Sequence, residues 1–360
     1  MKKSIFLLIL FLPILIFSQE NNVEENDSIS NTNNNTFIED HSEQLNIKFD
    51  VTNDQLSYYI PFEEDKATIK TNLNVSLGFV FSYKFLSVRL GVRPGLSDSN
   101  KENKGETDFF RIKVKLLFDK WTHRFEYNYT RGFYIENTDD FGVFDTSSSN
   151  YHVQFPYLTT NIISGSTHYN FNDNYSVKAV ESNTEIQLKS VGTFLLGVSY
   201  SFYDLAGTDS IKDENGDILT KTSYNEYAGF SATLNGGYYY TFILKSYWYV
   251  NLRVNPGIAF NFYDTTYYSE NSSEKKSNTE VFIALNTGVT AGYNGKKYYF
   301  GAEFNYNGNT EKFNDDKVNL IPIKNNFHIF IGYRFKAPKQ VTKPVDYIEK
   351  KMPILKDGDN

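Results

Sequence analysis

The chain has 360 residues, 36 Lys and Arg against 43 Asp and Glu, and no cysteine. It is long enough for one large core or two, and it can hold neither a disulfide framework nor a lipid-modified cysteine at a processing site. Its net charge of −7 and the lack of a basic aromatic patch argue against nucleic acid.

Lys2 and Lys3 precede an apolar stretch over residues 5–17, and the chain turns polar at Gln19 after Ser18. That is the pattern of a secretory signal over residues 1–18, too short with those flanks to be a spanning helix. Its removal leaves 34 basic residues against 43 acidic, a net −9. Residues 19–44 are rich in Asn, with seven acidic residues and no Lys or Arg, and are expected to form a disordered leader.

From residue 45 the dominant signal is period two. In 72–83, Leu73, Val75, Leu77, Phe79, Phe81 and Tyr83 alternate with Asn and Ser. In 107–118, Phe110, Ile112, Val114, Leu116 and Phe118 alternate with Arg111, Lys113 and Lys115. Phe125, Tyr127 and Tyr129 alternate with Arg124, Glu126 and Asn128, and near the end Phe327, Ile329, Ile331, Tyr333 and Phe335 alternate with His328, Gly332 and Arg334. Each segment has one apolar and one polar face over roughly the 9–11 residues that a tilted strand needs to cross a bilayer.

The connections sort into short ones at 84–85, 119–121, 172–174, 243–246 and 294–296, and long polar ones at 61–71, 95–106, 135–157, 204–223, 263–277 and 309–326. The two kinds alternate, as short periplasmic turns and long outer loops do in a membrane barrel. Twelve strands follow, with ten or fourteen as the alternatives. The expected fold is all-β: a single antiparallel transmembrane β-barrel over 45–335. Aromatics flank every short turn (Tyr83 and Phe85, Phe118 and Trp121, Phe171 and Tyr175, Phe242 and Trp248, Tyr293 and Tyr298), as an interfacial girdle would. Residues 175–203 are too long for one strand, so a fold-in or bent extension is expected over 181–192. Residues 336–360, with six Lys and four acidic residues, form a periplasmic tail expected to be mobile or loosely docked.

The runs Gly132-Phe-Tyr-Ile-Glu-Asn-Thr138, Gln154-Phe-Pro-Tyr-Leu158, His168-Tyr-Asn-Phe-Asn172, Glu185-Ile-Gln-Leu-Lys-Ser190 with Gly192, and Gly332-Tyr-Arg-Phe-Lys-Ala-Pro-Lys339 give the chain a family likeness. It resembles an outer-membrane barrel family of Bacteroidota, domain of unknown function forty-four twenty-one, over most of residues 45–339. The resemblance implies a barrel and an outer-membrane address, with no activity and no catalytic residues. The implied partners are outer-membrane lipid and the barrel-insertion machinery.

If the polar faces line the lumen, its basic candidates are Arg89, Arg93, Arg111, Lys113, Lys115, Arg124, Lys178, Arg253 and Arg334, and its acidic ones Glu126, Glu181 and Glu303. Two readings stand. One is a passive channel or a binding barrel favouring small anionic solutes. The other is a filled, closed structural barrel whose charges pair and whose loops bind partners. Acidic partners would come from an inward loop, either 135–157 with Glu136, Asp139, Asp140 and Asp145, or the stretch holding Glu181 and Glu185. A hydrolase at the rim is a third reading, but none of His41, His123, His152, His168 and His328 stands in a motif with a Ser, so no enzyme is expected. Asp213-Glu-Asn-Gly-Asp217 has the wrong spacing for a calcium loop, and no metal or cofactor is expected.

Overall fold

The computed structural model describes residues 36–351 apart from 56, 63–64, 74, 96, 141–149, 213–215, 221–223 and 310–323. The expected signal sequence, the leader as far as residue 35, Asp145, residues 213–215 of the calcium-like motif, most of the loop at 309–326 and the end of the tail lie outside the described residues.

The strands run in chain order β1 (Ile38–Asp40), β2 (Gln44–Gln55), β3 (Ser57–Phe62), β4 (Asp65–Lys70), β5 (Ser76–Tyr83), β6 (Leu86–Val92), β7 (Asp108–Leu117), β8 (Trp121–Ile135) and β9 (Gln154–Asn170). They continue with β10 (Glu185–Gln187), β11 (Val191–Ala206), β12 (Ser210–Lys212), β13 (Ile218–Thr220), β14 (Tyr224–Lys245), β15 (Trp248–Ser269), β16 (Ser272–Asn294), β17 (Tyr298–Asn309) and β18 (Lys324–Lys336). The helices are α1 (Asp98–Lys104), α2 (Val177–Glu181) and α3 (Lys339–Lys351).

Twelve of the strands, β2, β5 to β9, β11 and β14 to β18, pair antiparallel in chain order, and β18 returns to β2 with Lys336 opposite Gln44. The result is a closed twelve-stranded meander without an edge between its staves. Its burial is the inverse of a water-soluble sheet. On β15, Leu252, Val254, Ile258, Phe260 and Phe262 are exposed, whereas Asn251, Asn255 and Asn261 are buried. On β5, Phe79 and Phe81 face out while Ser76 and Ser82 are buried. Apolar side chains facing outward on staves all round the ring make a lipid-facing band, and polar ones fill the inside. No helix among the described residues is long and apolar enough to cross a membrane; the strands make the crossing. Ile329, exposed in the middle of β18, tests this. Ile329→Arg is expected to destabilise the barrel in lipid by about 2–4 kcal/mol, measured by denaturant unfolding in vesicles; an unchanged midpoint would mean that this face meets water.

Aromatic rings gather outside the short-turn end. Trp121, Tyr169, Phe171 and Phe194 form a chain of neighbours at 5.0, 4.8 and 5.8 Å between centroids, and Trp248 sits 5.5 Å from Tyr293. The expected girdle is narrower than its sequence suggests, because Tyr83, Phe85, Phe118 and Tyr175 are buried. Alternation assigns a face only within a strand, and three of these four lie in or beyond a turn.

Three other expectations are corrected. Residues 263–277 are no loop: β15 and β16 stay paired to Ser269 opposite Ser272, and β14 pairs with β15 as far as Tyr224 opposite Tyr268, so three strands continue into this polar stretch, where Tyr263 and Thr265 are still buried. The turn at 172–174 opens a 20-residue connection, 171–190, between β9 and β11. The last part of the leader is ordered, since β1 pairs with β10 (Ile38 opposite Gln187, Asp40 opposite Glu185), which gives its peptide groups the partners that composition alone could not foresee. The tail, expected to be mobile or loosely docked, contains α3, a helix that takes Pro344 into its interior.

At the opposite, loop-bearing end, β3 and β4 form a hairpin whose Ile69 pairs with Ile135 of β8. There Tyr58, Ala67 and Ile69 join Phe133, Ile135, Val153, Phe155, Leu158, Tyr203, Leu205 and Tyr227 in an apolar cluster. The β8 end reaches it through a bulge at Gly132, where φ is +85° and the Glu106 carbonyl approaches from outside, a position that a side chain could not occupy.

Candidate functional site

Twelve strands spaced about 4.8 Å apart and tilted near 40° enclose a backbone radius of roughly 12 Å. Stave side chains alone leave such a ring hollow. The connection 171–190 folds into the short-turn end and fills part of it. Ser176 caps α2, its hydroxyl accepting from the Ala179 amide at 2.7 Å and donating to Glu185 at 2.6 Å. Tyr175 and Val177 pack on Leu195, and Tyr175 accepts a hydrogen bond from Asn251 through its hydroxyl at 2.8 Å.

Asn183 is the centre of this plug. It is fully buried with φ +57°, a left-handed conformation that Asn tolerates better than most residues. Its carbonyl accepts from Arg334 Nε at 3.1 Å and Nη2 at 2.6 Å, and its side-chain oxygen accepts from Lys48 Nζ at 3.3 Å. Arg334 also donates to Asn294 and to the Gly295 carbonyl. Asn294 in turn donates to the Ala179 and Glu185 carbonyls at 3.3 and 3.0 Å. Lys178 reaches Asp119 at 2.6 Å and Glu185 at 3.2 Å. Burial works against its charge, but the two carboxylates outweigh it and raise the ammonium above its ordinary range.

Glu181 points from α2 into the lumen. Its carboxylate is gripped by Arg124 and lies 3.1 Å from Lys115 Nζ. Burial raises its pKa, yet Arg124 and Lys115 prevail and hold it well below the usual carboxylate range.

Above the plug lies a chamber of about 640 Å³ lined by residues of all twelve staves. Among the described residues its cations are Lys48, Arg89, Arg111, Lys113, Lys115, Arg124 and Arg253, and its carboxylates Asp50, Glu126, Glu181 and Glu303. Arg89 binds Asp50 at 2.6 Å; Glu126 lies 3.2 Å from Arg111 and 3.0 Å from Lys113; Glu303 lies 2.6 Å from Arg253 and 3.5 Å from His328. Seven cations thus share four carboxylates, and the interior of an acidic protein is positive.

Of the residues singled out from the sequence, Arg89, Arg111, Lys113, Lys115, Arg124, Glu126, Glu181, Arg253 and Glu303 meet in this chamber. Arg93 does not; it follows the end of β6 and faces Glu106 at 3.6 Å. Lys178 and Glu185 belong to the plug, and Arg334 anchors it. Glu136 pairs with Lys70 at the loop end, and Asp139 and Asp140 lie in a single 3-10 turn there, Asp140 accepting from Asn137 at 3.0 Å. Lys48 and Asp50 were missed, although Asn46, Lys48, Asp50 and Thr52 alternate with Leu45, Ile47, Phe49 and Val51 in plain view. His168, held between Arg124 at 3.0 Å and Asn235 at 2.7 Å, also lines the chamber. No cluster of His, Asp and Glu suited to a metal ion occurs among the described residues.

One family profile, described as Domain of unknown function (DUF4421), matches residues 25–335. No curated protein matches the chain. Solved structures similar to it include the outer membrane protease OmpT from Escherichia coli, at 10% identity over 82% of this chain and 98% of that one, with a TM-score of 0.38. The translocator domain of autotransporter NalP from Neisseria meningitidis is similar at 9% identity, covering 82% and 89%, with a TM-score of 0.36. The P. putida toluene transporter TodX is similar at 10%, covering 81% and 88%, with a TM-score of 0.26. Likeness at this level carries nothing about activity.

Proposed function

The chain belongs to that family of domains of unknown function, as an outer-membrane β-barrel, and we propose that it binds small anionic solutes inside its lumen. The observation that carries this reading is the excess of cations: seven around four carboxylates in a space of about 640 Å³, with low-dielectric walls that concentrate the field. A wall of arginine and lysine favours anions. The plug at the short-turn end favours a binding chamber over a standing pore. Equilibrium dialysis of the detergent-solubilised barrel against labelled inorganic phosphate tests the proposal. Saturable uptake is expected; uptake no greater than that of a water-soluble protein of equal charge would end it.

A second reading, in which the outer end binds a partner, draws support from the extended ends of β14, β15 and β16. There the Tyr224 and Tyr268 rings stack at 4.6 Å and Tyr267 is exposed. Under either reading the signal is cleaved after Ser18, and the short turns and the plug face the periplasm.

A further inference from the structure

The contact that holds the plug inside the barrel has the form of a ligand complex. Arg124 donates from Nε to Glu181 Oε2 at 3.0 Å and from Nη2 to Oε1, and Lys115 adds a point charge at 3.1 Å. A planar two-pronged grip on both carboxylate oxygens is how arginine recognises a carboxylate. The two halves of this complex have different origins. Arg124 and Lys115 stand opposite each other on β8 and β7, fixed in the wall. The guanidinium is also set by wall residues that do not belong to the plug: Nη1 reaches His168 Nδ1 at 3.0 Å, and His168 Nε2 reaches Asn235 at 2.7 Å. Glu181, by contrast, arrives on the last residue of a five-residue helix inside an insertion. Arg124, Lys115 and Glu181 all border the chamber, so a solute there has access to the same cations.

We infer that Arg124 and Lys115 form a carboxylate-recognition site of the wall, that Glu181 occupies it as a tethered stand-in, and that a small di- or tricarboxylate displaces Glu181 and loosens the plug. This rests on the anion-binding reading and adds which anion and where. A ligand with two carboxylates gains over Glu181 because Lys113, which it would share with Glu126 at 3.0 Å, lies two residues along β7 on the same face, roughly 7 Å from Lys115. A monocarboxylate, or Glu181 itself, cannot span that distance.

The test uses the full-length barrel in detergent and labelled citrate. Glu181→Gln, which keeps the shape and removes the charge, is expected to bind citrate at least tenfold more tightly than the wild type, and the gain disappears in Glu181→Gln with Arg124→Gln. Citrate binding by Glu181→Gln no tighter than that of the wild type, or a gain that survives loss of Arg124, overturns the inference. A second measurement needs no variant: citrate is expected to increase proteolysis of the wild-type plug within residues 171–190 saturably, and cleavage indifferent to citrate likewise overturns it. Failure of wild-type phosphate binding would remove the broader reading. Phosphate binding without any citrate effect would remove this inference alone.

Discussion

Excising α2 and β10, residues 177–187, and joining the ends with a glycine–serine linker is expected to open the chamber to the short-turn side. Because the chain has no cysteine, Ser201→Cys, a residue of the chamber wall, supplies a single reporter. Its labelling rate by a membrane-impermeant thiol reagent is expected to rise about a hundredfold on excision. The plug is held by the Asn183 network, by Lys178 and by the Glu181 grip, so reaching the chamber past it requires local opening at a cost of a few kcal/mol, and each 1.4 kcal/mol is a factor of ten. Acid is expected to act in the same direction as excision. The folded-state pKa of Glu181 is depressed, so its contribution is fully present above the ordinary carboxylate value of 4.5 and is lost as pH falls through the lower folded value. Because the thiolate is the reacting form, rates are taken relative to an exposed cysteine at the same pH; so normalised, labelling at pH 5 should match that at neutral pH, and labelling well below pH 4.5 should be faster. If excision left the rate unchanged, the seal would lie elsewhere.

Reversing the charge of two wall residues should remove the selection among entering reagents. In the excised barrel carrying Ser201→Cys, an anionic thiol reagent is expected to outpace a cationic one of equal size by about tenfold at low salt, the scale on which a focused field alters encounter rates. Because the excision also removes Glu181, Arg111→Glu with Lys113→Glu leaves five cations against five carboxylates and is expected to abolish the preference. Arg111 is buried, with its guanidinium 4.8 Å over the Phe109 ring and Glu126 beside it, so the double variant also places three carboxylates together. Lys113→Glu alone, at a half-exposed position, leaves six cations against four carboxylates and is expected to weaken the preference with less strain on folding. Added salt should shrink both effects, because the charges act through water inside the chamber. An unchanged preference for anions in both variants would show that the lumen charges do not govern entry.

Much of the barrel could be read from local pattern. Phe110, Ile112 and Val114 against Arg111, Lys113 and Lys115 assign both faces of β7 without reference to any other strand, because the pleat alternates every residue and lipid and lumen make opposite demands. The same rule yields the number of staves once turns and loops are seen to alternate. It also contains Lys48 and Asp50, which went unrecognised because β2 follows directly on a polar leader. The rule fails where side chains are not set by a pleat. Tyr175 and Phe118 look like girdle residues and are buried, and 263–277 reads as a loop because residues 269–277 at its tip are polar and exposed.

The amino-acid sequence by itself determined a twelve-stave barrel and a lumen richer in bases than in acids, since both depend on neighbours one and two residues apart. Only the tertiary structure decided that the inward turn, expected over 181–192, spans 171–190, and that Asn183 meets Arg334 and Lys48. It alone brought Glu181 to Arg124 and tied β1 to β10. Those partners are 57 to 151 residues apart, and nothing in a local pattern records which distant cation a buried carboxylate will meet once the ring closes around it.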